Sequence, residues 1–420
     1  MKILIFNTAE HTGGAAVAAN RLLRALLRSG VSATMLVRDR ATDDLAVVSL
    51  DWGVVRRWLN FLYFVWERLV IYLCNRLSKR NLFQVSIANT GINIRRTAAF
   101  READVIHIHW INQGFLSLDE IARIIASGKR VVWTLHDLWP ATAICHYPGD
   151  CVKYRTGCSA CPMMSENPLV DLAKRVARRK GKIDWRRVTF VGCSEWIART
   201  ARESVWLREA RFVSIPNPID TTLFRPIDRR EARQRLGLPE EKRLILFAAA
   251  KLSDTRKGAA FLLEACRLLA AEMEGELEII LMGSDATELS ALSPVPVRAL
   301  GYISGAEKLA EAYSCADLFV IPSLEDNLPN TIMEAMACGT PCVGFRTGGI
   351  PEMIDHEMNG YVAGSRDSVD LARGIAWVLR HPEPGNLSAA CREKVMRCYQ
   401  ESVVAKKYIA LYQKLIQEKI

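Results

Sequence analysis

At 420 residues the chain is too long for one ordinary core, so two domains are expected. Half of it is hydrophobic and 24% charged, which excludes a disordered polymer and fits a globular enzyme. The net charge of +10 is uneven: residues 1–213 carry 32 Lys and Arg against 18 Asp and Glu, residues 214–420 carry 24 against 28. A basic N-terminal half points to an anionic neighbour, although the run AKRVARRKGKIDWRR (Ala173 to Arg187) also reads as a solvated helix face.

The chain opens MKILIFNTAEHTGG, an apolar run too short for a secretory signal. A cytoplasmic location is expected, with the 12 cysteines reduced unless they bind metal. KILIFNTA (Lys2–Ala9) reads as a buried parallel strand, followed by a loop with Gly13 and Gly14 and then a helical pattern, AAVAANRLLRALLRSG. ATMLVR, DVIHIHW, RVVWTLHD and TFVGCS read as further strands.

Between them lies WGVVRRWLNFLYFVWERLVIYLCNRLSKR, Trp52 to Arg80, rich in aromatic residues and carrying six Lys or Arg. Glu67 and Arg68 interrupt it, so it falls short of the ~20 apolar residues of a spanning helix. It reads as an interfacial helix with aromatic and basic anchors, or as a helix packed on the N-terminal sheet.

After His136 comes CHYPGDCVKYRTGCSACP, with Cys145, Cys151, Cys158 and Cys161. Four cysteines so close together, two of them a Cys-x-x-Cys pair, are candidates for a structural zinc site. A redox pair and plain buried thiols are the alternatives.

SIPNPIDTTLFRPI, residues 214–227, reads as a linker between domains 1–213 and 228–386. In the second half RLILFAAA, LEIILMG, DLFVIPS and PCVGF read as strands, and AAFLLEACRLLAAEM as a helix after the first. Residues 387–420 are helical in pattern and are expected to return to the N-terminal domain. Strands alternating with helices imply parallel sheets in right-handed crossovers, with ligands at the carboxyl ends of the strands. His136 with Asp137, Arg256 with Lys257, and Asp326 with Asn327 all fall in such loops, which suggests a cleft between domains.

SLEDNLPNTIMEAMACGTP, Ser323 to Pro341, holds the most distinctive pattern. Thr331 followed by Glu334 fits a capping box. Asp326 and Glu334, eight positions apart, also fit two carboxylates that hold one ligand.

On these residues the chain resembles the family 4 retaining glycosyltransferases. Their signature is a Glu, seven residues and a second Glu; here Asp326 stands for the first and Glu334 is the second. GYISGAEKLAEAYSCADLFVIPS, PCVGFRTGGIPEMI and SIPNPIDTTLF are similar to the family's flanking stretches. HTGGAAVAANRL and TLHDLWPATAICHY give a likeness to enzymes of bacterial exopolysaccharide and colanic-acid-type assembly. The resemblance implies an α/β GT-B fold, two facing Rossmann-like domains, with donor bound by the C-terminal and acceptor by the N-terminal one. It implies that Glu334 holds the donor ribose, and that Asp326 (or Glu325, one position out of spacing) and His136 contact the transferred sugar. Gly13, Gly14, Arg256, Lys257, Asn327, Leu328, Asn330 and Thr331 complete the expected donor site.

No Asp-x-Asp pair is present, so fixed cations and helix amides are expected to replace a metal ion on the pyrophosphate. The expected partners are a nucleotide-sugar, a glycan or lipid-linked oligosaccharide acceptor and the inner-membrane surface, with no nucleic acid and no catalytic cofactor. The rival readings are another GT-B enzyme, such as a nucleotide-sugar epimerase, and a non-catalytic basic membrane or nucleic-acid binder on the same scaffold.

Overall fold

The computed structural model describes residues 1–50, 53–167 and 169–418. Trp52, the first residue of the aromatic stretch, lies outside the described residues. The chain divides into two compact units, Met1–Asn217 together with the chain from Val404 onward, and Pro218–Val403.

The first unit is built on seven parallel strands: β1 (Lys2–Ala9), β2 (Ser32–Asp39), β3 (Val47–Ser49), β4 (Val105–Ile108), β5 (Arg130–Leu135), β6 (Val188–Gly192) and β7 (Arg211–Ser214). Their order is β3-β2-β1-β4-β5-β6-β7. Both faces are covered, which is why β1 reads as a continuous apolar run. Leu4 and Phe6 face one core with Ile106, Ile108 and Trp133. Ile3 and Ile5 face the other with Met35, Val132 and Val191. That second core is completed by the helix Glu401–Gln417, through Val404, Tyr408, Leu411, Tyr412 and Leu415 at helical spacing.

The second unit carries β8 (Arg243–Lys251), β9 (Leu277–Ser284), β10 (Val297–Gly301), β11 (Leu318–Ile321), β12 (Cys342–Phe345) and β13 (Gly360–Ala363), all parallel. Their order is β10-β9-β8-β11-β12-β13. In each sheet the order reverses between two central neighbours, β1 and β4 in the first, β8 and β11 in the second. At such a point the flanking crossovers leave in opposite directions and open a crevice at the carboxyl ends of the strands.

Two boundaries differ from the sequence reading. Strand β7 runs to the first residue of the expected linker, and the first unit extends to Asn217. The helix Pro384–Cys398 belongs to the second unit, where Arg392 donates to the carbonyls of Thr221, Phe224 and Ala337. Only the chain from Val404 groups with the first unit, because only there does the apolar stripe meet the core of its sheet.

Candidate functional site

In the second unit the site forms where β8 and β11 run side by side. The loop after β8 makes a short turn, Thr255–Lys257, capped by Asp254, whose carboxylate accepts from the Arg256 backbone N–H at 3.0 Å. Gly258 follows with φ +72°, so close to the Pro322 carbonyl that a Cβ would stand 1.9 Å from its oxygen. A residue without a side chain is therefore needed for this loop to lie against the one after β11.

That approach brings three of the expected side chains together. Lys257 Nζ lies 2.6 Å from Asp326 Oδ2, with Ser323 Oγ 3.3 Å from the same oxygen. Arg256 donates to the Glu325 carbonyl at 2.9 Å and pairs with Asp254 at 3.2 Å. Burial alone would raise the Asp326 carboxyl. The Lys257 charge and hydrogen bond, with the nearby Arg256 charge and the Asn327 N–H, hold it below the usual carboxylate value.

Asn327 and Leu328 are buried, and Asn330 and Thr331 sit half-buried at the start of the helix Asn330–Ala337. The capping-box reading of Glu334 fails on geometry. The helix begins two residues earlier than a Thr331 cap requires, its N-cap is Pro329, and no side chain caps it. Glu334 is instead buried in the helix flank, and Tyr313 donates to its Oε2 at 2.9 Å.

In the first unit Gly13, with φ +91°, is the N-cap of the helix Gly14–Arg28, and both glycines are exposed. His136 follows β5 and joins a chain of imidazoles. His109 Nδ1 and His136 Nε2 are 2.8 Å apart, and the His107 and His109 ring centroids 4.3 Å apart. His107 is held on one nitrogen by Tyr412 at 2.7 Å and on the other by Thr134 at 2.8 Å, with Tyr408 3.0 Å from that threonine. Burial pushes His107 down to about 3 and His136 to about 4, and drives His109 well below the ordinary value. All three are therefore neutral near pH 7. His109 Nε2 is buried without a hydrogen-bond partner among the described residues.

Beside them Asp137 accepts from Trp110 Nε1 at 2.9 Å and from His146 Nδ1 at 2.7 Å, and His146 Nε2 lies 3.0 Å from Ser86 Oγ. The order Ser–His–Asp is that of a hydrolytic triad, but Ser86 is fully buried, so no substrate carbonyl reaches it. These bonds fix the insertion after β5. The buried Lys180 fixes it from below, donating to the carbonyls of Trp139 and Thr142 at 2.5 and 2.9 Å. His107, His109 and Tyr313 were missed in the sequence. The signal for the first two was present in VIHIHW, since positions two apart in a strand share a face.

Cys145, Cys151, Cys158 and Cys161 line one small cavity, and all are free thiols. The Cys145 thiol is hydrogen-bonded to Cys161, which brings Cys161 down to about 7 with help from the Met163 backbone and the Lys153 charge. Among the described residues no group of three or more His, Cys, Asp or Glu side chains has the arrangement of a metal site. The zinc expectation thus finds no support in this geometry, where two of the thiols turn to each other.

Comparison with known proteins places the chain. Residues 12–223 match the family model Glycosyltransferase Family 4, and residues 242–381 match Glycosyl transferases group 1. A D-inositol 3-phosphate glycosyltransferase of Geodermatophilus obscurus is 25% identical over 405 residues, covering 91% of this chain and 81% of the relative. Among solved structures, sucrose-phosphate synthase from Thermosynechococcus elongatus superposes with a TM-score of 0.69 at 20% identity, over 99% of both chains. HepE of Anabaena, in complex with UDP-glucose, gives 0.65 at 16% identity over 99% of this chain and 100% of that one. With two parallel-sheet Rossmann-like units of the GT-B kind and a family model spanning half its length, the chain belongs to glycosyltransferase family 4 and is a glycosyltransferase.

Proposed function

We propose that this glycosyltransferase is a retaining, metal-independent enzyme of polysaccharide assembly. It takes a sugar from a nucleotide-sugar and adds it to a glycan or lipid-linked saccharide at the inner face of the cell membrane. The observation that carries the reading is the Lys257–Asp326 pair at the β8–β11 reversal, four residues ahead of the N-terminus of the helix Asn330–Ala337. A pyrophosphate needs fixed positive charge, and the ammonium, the Arg256 guanidinium and a helix end of roughly +0.5 charge supply it. Lys257 has three N–H donors, so it can hold Asp326 and a phosphate oxygen together. As the glycosidic bond breaks, charge grows on the departing diphosphate, and these groups stabilise it without reorganising.

Glu334, its carboxylate plane fixed by Tyr313, accepts from the ribose hydroxyls. Asp326, oriented by Lys257, contacts hydroxyls of the transferred sugar, and in the first unit the neutral His136 is the group suited to sugar hydroxyls. A neutral imidazole can donate or accept there without a charge being buried. The acceptor hydroxyl attacks from the face the diphosphate leaves, which preserves the anomeric configuration. HepE of Anabaena has been solved in complex with UDP and with UDP-glucose, and this supports a donor of that class.

The test is a panel of nucleotide-sugars and saccharide acceptors, lipid-linked ones included, assayed in EDTA with products read by mass spectrometry and anomeric NMR. A product with the donor's anomeric configuration is expected. An inverted product, or transfer only with added divalent ion, contradicts the reading.

A further inference from the structure

The aromatic stretch forms the helix Val54–Cys74, and its amphipathicity is inverted. Beyond its first turn its polar residues, Asn60, Glu67 and Arg68, face the protein. Glu67 is fully buried and accepts from the backbone N–H groups of Ile87 and Ala88 at 2.7 and 2.8 Å. Arg68, also buried, pairs with Glu67 at 3.2 Å and donates to the carbonyls of Leu82 and Val85. Asn75, at the helix end, is buried and accepts from the Ser165 N–H at 2.6 Å. The middle of the helix presses on Gly114, where a Cβ would stand 2.7 Å from backbone atoms of Tyr63 and Phe64. The helix is therefore bolted to its unit through polar groups.

Its apolar residues face out. Val54, Trp58, Phe61, Leu62, Trp66 and Leu73 repeat at helical spacing on the exposed side, with Trp58 62% and Trp66 54% accessible. So large a contiguous apolar face calls for a partner. The charges around it select one. Arg56 and Arg57 at one end and Arg76, Lys79 and Arg80 at the other are exposed, and the only acidic residue from 53 to 84 is the buried Glu67. A second copy would set like charges against each other. Among the described residues no helix is long and apolar enough to cross a membrane.

We infer that the outward face of the helix Val54–Cys74 docks on the surface of an anionic lipid bilayer. Trp58, Phe61 and Trp66 enter the headgroup–acyl boundary, and the flanking arginines and lysine pair with lipid phosphates. The inference deepens the lipid-linked acceptor proposed above. Its test is separate, because vesicle binding requires neither donor nor acceptor.

The experiment is sedimentation of the full chain with vesicles of phosphatidylcholine alone or with ~30% phosphatidylglycerol, at low and high salt. Binding to the anionic vesicles is expected, weakened by salt but not abolished. The variant Trp58→Ser/Phe61→Ser/Trp66→Ser is expected to bind at least about tenfold more weakly and to lose the salt-resistant part, with an unchanged unfolding midpoint because these side chains are exposed. The variant Arg56→Gln/Arg57→Gln should lose part of the binding at low salt only. Failure of the wild type to sediment with anionic vesicles, or equal sedimentation of the triple variant, overturns the inference. So does a dimer that the triple variant abolishes, since the face would then be covered by a second copy.

Discussion

On β4 and β5 and just beyond them, the first unit gathers groups that carry no charge near pH 7: three imidazoles, two phenols and a threonine hydroxyl, joined by short hydrogen bonds and one ring contact. Beyond β8 and β11, the second unit gathers full charges at the corresponding place, with Lys257 on Asp326 and Arg256 on Asp254. Both regions are largely buried, yet burial has opposite results. For the imidazoles desolvation prevails, even over the Asp137 charge that acts on His136, so they stay neutral. Asp326 has an ammonium at 2.6 Å, so it stays charged. A neutral site suits sugar hydroxyls and an ionic one suits phosphates, which is the division of charge that the proposed reaction calls for.

The comparison breaks most severely at Lys257. Lys257→Ala leaves Asp326 buried without its cation, and removing one partner of a buried pair costs about 3–5 kcal/mol. Chemical denaturation should show that loss in the second unit, together with loss of donor binding. The double variant Lys257→Ala/Asp326→Asn should recover much of the stability and none of the binding.

Acid sharpens the comparison from the other side. The ordinary imidazole value is 6.5, and the folded values are about 3 for His107 and about 4 for His136. Between these limits the unfolded chain takes up protons that the folded unit refuses. Stability is therefore intact above 6.5 and falls as pH drops through the window, by roughly 1.4 kcal/mol per pH unit for each imidazole. Nine of the ten tryptophans lie in the first unit, so their fluorescence in urea should show its midpoint falling between pH 6.5 and 4. The second unit, whose His356 and His381 are not buried, should hold until its lowered carboxylates, Asp326 among them, begin to protonate below their ordinary values near 3.8.

A smaller effect concerns reactivity. Iodoacetamide near pH 7 should label Cys161, held near 7 by its Cys145 partner, well before the buried Cys193 and Cys391, whose thiols burial pushes up. Uniform labelling, as read by peptide mass spectrometry, would show that the Cys145–Cys161 bond does not set reactivity. The smallest expected effect is that of EDTA on transfer: none.

The sequence announced most strands where burial is two-sided, but not β13, where GYVA has only one aliphatic residue larger than alanine. LILFAAA is apolar throughout and LEIILMG is broken only by Glu278, because both faces of β8 and β9 are covered. It was silent on β10 and β7, because Arg298 and Ala299 of VRALG are exposed at a sheet edge and RFVS is only half-buried. In the site, Asp326 and Glu334 were legible as a spacing. The Lys257–Asp326 pair was not, since 69 residues separate the partners and only the Gly258–Pro322 contact closes that gap. Glu67 and Arg68 looked like an interruption in an apolar stretch. They proved to be the inward bolts of an outward-facing helix, because side-chain direction depends on where the backbone of residues 82–88 offers partners.

The most direct measurement is calorimetric titration of nucleoside diphosphates (UDP, GDP, ADP) into the wild type and into Glu334→Gln, in EDTA. One of the three is expected to bind the wild type. The substitution should weaken that binding by about 10–150-fold, the equivalent of roughly 1.5–3 kcal/mol for hydrogen bonds to a charged group, with the unfolding midpoint unchanged. Equal affinity of the two proteins, or no binding of any diphosphate without a divalent ion, would contradict the assignment of the donor site to the second unit's charged loops.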